Sequence, residues 1–274
     1  MPYRHAHWYL LLLFPLTGLA FWPNYFSKFA ASPYAFHVHG ITASLWILLL
    51  AFQSWTIHNR RNALHRSAGW ASLALFPLFL VGGLLVLQTM ADKFGARQDP
   101  FYALFGARLG AIDTVSSVAL PFLFYAAIRW RRKVHMHARY MLAPILFLLP
   151  PILSRLMPAL PPFAITGPET FYRFGYGVHV ADGIAIAIAA WLYLKAPKHG
   201  RPFAIVGGLI LLHSLVFETL GRTGAWESLY ASLAHVPTPL VASLGLAAGI
   251  LAGAAGWIGG QPPPRREATA RGLS

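Results

Sequence analysis

Residues 36–70, FHVHGITASLWILLLAFQSWTIHNRRNALHRSAGW, decide the fold of this chain. No charged residue occurs between Ile41 and Ile57. Together with the preceding turn, this run approaches the length of about 20 residues that a helix needs to cross a bilayer core. Histidines lie at both ends of the run, and the next loop carries Arg60, Arg61 and Arg66. An apolar run that ends in a basic loop is typical of a transmembrane helix.

The composition of the whole chain extends this interpretation. Of its 274 residues, 57% are hydrophobic and only 11% are charged, which is typical of a multi-pass membrane protein. The predicted fold class is all-α, a polytopic helical membrane bundle of about eight transmembrane helices. Residues 1–259 form a single transmembrane domain, and the Pro-rich segment 260–274 is predicted to be a disordered cytoplasmic tail. The predicted spans are 8–22, 35–57, 68–88, 108–128, 137–157, 172–194, 202–220 and 238–258.

The basic residues predict the orientation of these spans. About two thirds of the 22 Lys and Arg residues fall on the side of the bundle that also carries both termini. This places both termini in the cytoplasm and predicts a protein of the bacterial inner (cytoplasmic) membrane. The lipid bilayer is therefore the expected partner of the chain. The loops also account for the net charge of +14 without nucleic acid.

Several classes of chemistry are excluded by what the chain lacks. It contains no cysteine, which excludes disulfides, thiolate catalysis and iron–sulfur clusters. Motifs that cradle phosphate and nucleophile elbows are also absent, which argues against an ATPase or a serine hydrolase. Histidine and carboxylate remain as strong metal ligands. The sequence assigns no catalytic residue and leaves open whether the protein is an enzyme.

Ionisable residues inside the predicted spans form a first set of candidates, because such residues are costly in a membrane. His39 is favoured over His37, since the two lie about 200° apart on a helix. His179 and Asp182 share a helix face, so the carboxylate is expected to hold the second nitrogen of the ring. These residues offer an alternative site for Zn or Fe/Cu in a lipid-modifying enzyme at the outer leaflet. Its candidate ligands are His39, His179, His213, Asp113 and Asp182.

A second set of histidines lies at the opposite edge of the predicted membrane. His58 ends one span, His65 begins the next, and His135 and His137 begin a later one. His65 and His137 start on the same side, on helices that run parallel. His65, His135 and His137 either bind a cofactor between helices or contact lipid phosphates, and the sequence leaves both interpretations open, whereas His58 is interpreted as a surface or interfacial residue.

The motifs around these histidines resemble a group of bacterial multi-pass membrane proteins with no secure activity. In that group a histidine opens one helix, a Gln lies near its end, and His-Arg-x-x-Gly opens the next. A later His-x-Arg-x-Met opens another helix. The matching positions, which extend over roughly residues 36–145, are His39, Gln53, His65, Arg66, Gly69, His137, Arg139 and Met141.

The same stretch is similar, more distantly, to the di-haem transmembrane cytochromes b. This resemblance implies haem b held by histidine pairs, one near each membrane face. His65 with His137 would form one pair. The family takes the partner of His39 from a helix that here carries Asp113, so His179 would have to replace it. The resemblance therefore implies a b-type haem electron carrier or oxidoreductase, with a quinone or a membrane complex as its partner.

Three further expectations concern an alternative function, close helix packing and helix bending. The function of a transporter or of an assembly factor for a membrane complex remains an alternative. In that case Asp113, Asp182, His213 and Glu218 would relay protons. The glycines at four-residue spacing in the last span predict close helix packing, within the chain or in a homo-oligomer. They are Gly245, Gly249 and Gly253. The prolines of the fifth span are predicted to bend it. They are Pro144, Pro150 and Pro151.

Overall fold

The computed structural model describes residues 3–260, and all regular structure among them is helical, as predicted. These residues form ten α-helices joined by short 3₁₀ segments. The α-helices are α1 (Ala6–Phe21), α2 (Tyr34–His58), α3 (Asn62–Ala96), α4 (Pro100–Arg129), α5 (Val134–Leu142), α6 (Leu149–Leu156), α7 (Tyr172–Leu194), α8 (Arg201–Glu218), α9 (Gly224–Ser232) and α10 (Thr238–Ile258). The predicted tail lies outside the described residues, apart from Gly260.

Within residues 3–260, seven segments are long and apolar enough to cross a membrane, and they match the second to eighth predicted spans. The chain is therefore a multi-pass membrane protein. The first predicted span corresponds to α1, which has 16 residues. At about 1.5 Å per residue, α1 is shorter than the hydrocarbon core of a bilayer. Large apolar side chains point outward from the bundle, such as Val118 and Ile258, which are 72% and 83% exposed.

Helices α3 and α4 both continue beyond their predicted ends, because a helix that the sequence did not predict covers them. This is α9, whose Trp226 Nε1 donates a hydrogen bond of 2.7 Å to the Ala107 carbonyl of α4. Gln88 of α3 donates to the Val236 carbonyl at 2.6 Å. The N-terminus of α4 is fixed by Asp99, whose side chain accepts from the Phe101 N–H at 2.9 Å.

The fifth span is interrupted where its prolines lie, as predicted. It consists of α5, a 3₁₀ segment at Ala143–Leu148, and α6. Pro144 occupies the first turn of the 3₁₀ segment, and Pro150 the first turn of α6. Proline lacks the N–H that an α-helix needs in its interior, so a new helical segment begins at each of these positions.

The glycine face of α10 packs against α3 within the chain, one of the two arrangements that the sequence left open. A methyl group built on Gly249 would lie 2.5 Å from Pro77 Cα of α3, and one on Gly245 would lie 3.0 Å from Val81 Cα. Only glycine allows the two backbones to approach this closely. These glycines therefore form a seam between α3 and α10.

The basic loops gather at one end of the bundle, which we call the basic end. The first residues of the chain lie there too, with the Tyr3 ring 5.9 Å from that of Phe203. His135 and His199, from two different basic loops, stack at 5.0 Å. Helix α4 crosses the centre of the bundle, in contact with α3, α5, α8, α9 and α10. It links the basic end to the opposite end, where α9 lies.

Candidate functional site

A cavity of about 450 Å³ opens at the basic end, between α2, α3, α5 and the end of α10. This volume falls in the range of roughly 300–1,000 Å³ that small-molecule and cofactor sites occupy. Leu50, Leu73, Ile128 and Trp257 contribute apolar walls. Both His65 and His137 line it, so the structure brings this predicted pair to one site.

The two imidazoles are anchored in the same way. His137 Nδ1 donates a hydrogen bond of 2.8 Å to the Ala127 carbonyl, and His65 Nδ1 donates one of 3.3 Å to the Gln53 carbonyl. Among residues 3–260, neither Nε2 has a hydrogen-bond partner. A carbonyl cannot donate a proton, so Nδ1 carries the hydrogen and Nε2 keeps a free lone pair. This tautomer is the one that binds iron or another metal through Nε2.

His58 is a third histidine of the cavity, and the sequence had suggested only a surface role for it. Its Nδ1 donates to the Ser54 carbonyl at 2.7 Å. Among residues 3–260, its buried Nε2 has no hydrogen-bond partner, and neither do the buried atoms Ser54 Oγ and Gln53 Oε1. Buried polar atoms are normally satisfied, so these three are exceptions among the residues that line the cavity.

Most of the recurrent motif converges on this cavity. The residues of the motif that line it are Gln53, His65, Arg66, Gly69, His137 and Met141. His39 lies instead against α3, with its ring stacked on Phe79 at 5.7 Å. Arg139 is buried beside the first residues of the chain, 5.1 Å from the Tyr3 ring.

Two arginines provide positive charge at the cavity. Arg66 is exposed, and Arg131 lies 4.2 Å above the Trp257 ring while donating to the Ile128 carbonyl. Trp257 is in turn 4.7 Å from Trp70, another residue of the wall. The cavity thus combines an apolar interior, free imidazole nitrogens and cations, which suits a flat apolar ligand with acidic substituents.

The opposite end carries a second polar site, built around Glu218. Its carboxylate accepts a hydrogen bond of 2.5 Å from Arg108 and also pairs with Arg222. His179 Nε2 lies 2.8 Å from Glu218 Oε1, and His179 Nδ1 lies 3.3 Å from Ser214 Oγ. Ser214 Oγ is 2.6 Å from Asp182 Oδ2. A cavity of about 430 Å³ opens beside Glu218.

This arrangement corrects the expectation for His179. The carboxylate that holds its ring is Glu218 of α8, whereas Asp182 is reached only through Ser214. Both ring nitrogens contact protein groups, so His179 offers no free nitrogen to a metal. It packs against Phe217 of α8, whereas His39 packs against Phe79 of α3.

The ligands considered for a zinc, iron or copper site also remain apart. His213 Nε2 lies 3.2 Å from Ser116 Oγ, and Asp113 interacts electrostatically with Arg155. Among residues 3–260, no group of three or more histidine and carboxylate side chains is placed to hold a metal ion. The spacing of these residues along their spans did not reveal their separation, because contacts with other helices decide where each side chain lies.

Comparisons of the chain with protein families, with curated proteins and with solved structures find no match.

Proposed function

We propose that the protein is a b-type haem membrane protein, an electron carrier or oxidoreductase, with the haem between His65 and His137. One observation carries this proposal. Two imidazoles from different helices line a single apolar cavity, each anchored at Nδ1 to a backbone carbonyl and free at Nε2. Facing histidines of this kind are natural axial ligands of haem iron in a helical bundle.

The remaining residues of the cavity fit a haem as well. Its walls are apolar and aromatic, as a porphyrin ring requires, and Gly69 and Ala138 leave room beside the histidines. Arg66 and Arg131 would hold the propionates, because guanidinium groups pair with carboxylates in a planar geometry. A bound haem b supplies one-electron chemistry between ferric and ferrous iron. The protein contributes the two imidazoles, the cations and a shell that excludes water.

Helix α4 supports the His137 side of the site. The carbonyl that anchors His137 belongs to Ala127, in the last turn of α4, where Ala127 is fully buried. The carbonyl that anchors His65 belongs to Gln53, in the last two turns of α2. Both anchors use carbonyls near helix C-termini. The partial negative charge there strengthens the imidazole as a ligand.

The proposal is for one haem per chain. The second site of the di-haem cytochromes needs a histidine pair with free nitrogens near the opposite face, and both nitrogens of His179 contact protein groups. The basic end would face the bacterial cytoplasm, where the excess of Lys and Arg belongs. A quinone or a subunit of a membrane complex would exchange electrons with the haem.

The experiment is an absorption spectrum of protein purified from haem-replete cells, oxidised and dithionite-reduced, with haem and metal quantified on the same sample. We expect a Soret band, sharp reduced α-bands and one haem per chain. His65→Ala and His137→Ala should each remove the spectrum. His199→Ala is the matched control, because His199 lies at the same end but outside the cavity.

The variant His58→Ala tests the assignment of the pair. His58 shares the cavity, but its Nε2 is buried against the protein and so does not face the ligand space. We therefore expect His58→Ala to retain the Soret band. If His58→Ala loses the Soret band and His65→Ala retains it, the axial pair must be reassigned. A colourless wild-type protein would disprove the proposal.

A further inference from the structure

The network around His179 forms a continuous chain of hydrogen-bonding groups from a surface cavity into the bundle. It begins at Glu218, whose side chain is 35% exposed and lines the cavity at the opposite end. It passes through His179 and Ser214, and it ends at Asp182, which is only 1% exposed. No step in this chain is longer than 3.3 Å.

The number of protons in this chain can be counted from its contacts. Glu218 pairs with Arg108 and Arg222, so it is an ionised acceptor, and His179 Nε2 must carry the hydrogen between them. Ser214 Oγ contacts both His179 Nδ1 and Asp182 Oδ2, which requires two hydrogens. A hydroxyl supplies only one. The second must come either from Nδ1 of a charged His179 or from a protonated Asp182.

We propose that Glu218, His179, Ser214 and Asp182 form a proton relay that carries one exchangeable proton between the surface cavity and the bundle interior. In one state His179 is an imidazolium and Asp182 a carboxylate. In the other, Nδ1 has passed its proton to Ser214 Oγ, the serine hydrogen has moved to Asp182 Oδ2, and both residues are neutral. The two states have the same net charge, and the neutral state avoids separated charges in a medium that penalises them.

The relay exchanges protons with the cavity at Nε2. In the imidazolium state, Nε2 gives its proton to Glu218 Oε1, which releases it to the cavity, and the neutral ring, now protonated at Nδ1, accepts a new proton at Nε2 by the same path. Asp182 Oδ1 is buried without a partner, which favours a neutral carboxyl at the inner end of the relay. The other ionisable groups that line the cavity at the relay are Arg108, Tyr172, Tyr176, Arg222 and Glu227, and His213 precedes Ser214 in α8.

This inference does not depend on the haem, and its test uses an infrared signal. In the purified full-length protein, the C=O stretch of a protonated carboxyl should be present at neutral pH and absent in Asp182→Asn. After transfer to D₂O, the rate at which this band shifts reports proton exchange at Asp182. We expect Ser214→Ala to slow that exchange by about tenfold or more, because it removes the hydroxyl that links Asp182 to His179.

Two further variants make the result decisive. Ser214→Thr keeps the hydroxyl and should exchange like the wild type, whereas His179→Gln should slow exchange as Ser214→Ala does. The melting temperature of each variant shows that slower exchange does not arise from misfolding. The relay is disproved if Asp182→Asn removes no carboxyl band, or if exchange in both Ser214→Ala and His179→Gln matches the wild type.

Discussion

The two ends of this bundle use histidine in opposite ways. At the basic end, His58, His65 and His137 each donate Nδ1 to a backbone carbonyl, and no Nε2 of the three has a hydrogen-bond partner within residues 3–260. At the opposite end, both nitrogens of His179 contact side chains of α8. A carbonyl anchor fixes the tautomer and leaves a lone pair for a ligand, whereas side-chain partners on both nitrogens suit proton exchange.

The difference also concerns how polarity is balanced. The cavity at the basic end retains buried polar atoms with no partner, such as Gln53 Oε1 and Ser54 Oγ, while apolar walls surround them. At the opposite end, Glu218 is satisfied by Arg108, Arg222 and His179. Among the described residues, the opposite end is a connected side-chain network in which Asp182 Oδ1 remains unpaired, whereas the unpaired atoms of the basic end belong to residues that line a cavity.

The largest expected effect comes from filling the cavity while its histidines remain in place. A methyl group on Gly69 would lie 3.5 Å from Gln53 Nε2, an ordinary contact, so Gly69→Leu places bulk in the cavity without a backbone clash. We expect haem per chain to fall about tenfold or more while the opposite end is unchanged. Haem quantification measures the fall in haem per chain, and thermal melting shows whether the rest of the fold is unchanged. Gly208→Leu is the control, since Gly208 has open space beside it. If the haem content of Gly69→Leu equals that of the wild type, the haem does not bind in this cavity.

The next largest effect concerns the seam that holds α10, and with it Trp257, beside the cavity. Gly249→Ala forces a contact of 2.5 Å with Pro77 Cα and should destabilise the protein by about 1–3 kcal/mol. We expect a lower melting temperature and weaker haem retention together. Gly208→Ala is the matched control, and it should be neutral or stabilising by up to about 1 kcal/mol. Equal melting temperatures for the two variants would refute the α3–α10 seam.

A smaller effect is expected from breaking the network at the opposite end. Glu218→Gln leaves Arg108, whose side chain is 12% exposed, without its carboxylate. Because Glu218 itself is 35% exposed, we expect a loss of only about 1–2 kcal/mol. Haem content should stay at the wild-type value. Glu169→Gln, at an exposed carboxylate, is the control. A loss of haem in Glu218→Gln would show that the two ends are coupled.

The smallest expected effect is that of His39→Ala. His39 stacks on Phe79, and its Nδ1 has no partner, so its removal deletes ring packing only. We expect an unchanged haem ratio and a destabilisation of less than about 1 kcal/mol. The same spectrum and thermal melt used for Gly69→Leu provide the readout. If the wild type holds two haems per chain and His39→Ala holds one, the di-haem arrangement is supported instead.

How much of the candidate site the sequence predicted varies from residue to residue. The resemblance to the di-haem cytochromes implied His65 and His137 as a pair, and the two residues share a cavity. His58 was missed because a histidine that ends a span carries no signal of its own. Ser214 was missed as well, since a serine in an apolar helix is unremarkable until a neighbouring helix brings Asp182 and His179 to it.

The sequence by itself determined that the chain is an all-helical membrane protein, where its long spans lie, and which ionisable residues gather near each end. Hydropathy settles these features locally, because the bilayer sets the length of a helix and penalises charge within it. Only the tertiary structure decided which residues meet. The rotation of each helix and the close approach of α10 to α3 depend on side-chain packing between helices. That packing placed His179 beside Glu218, buried the glycine face within the chain, and left the imidazoles of the basic end open to a ligand.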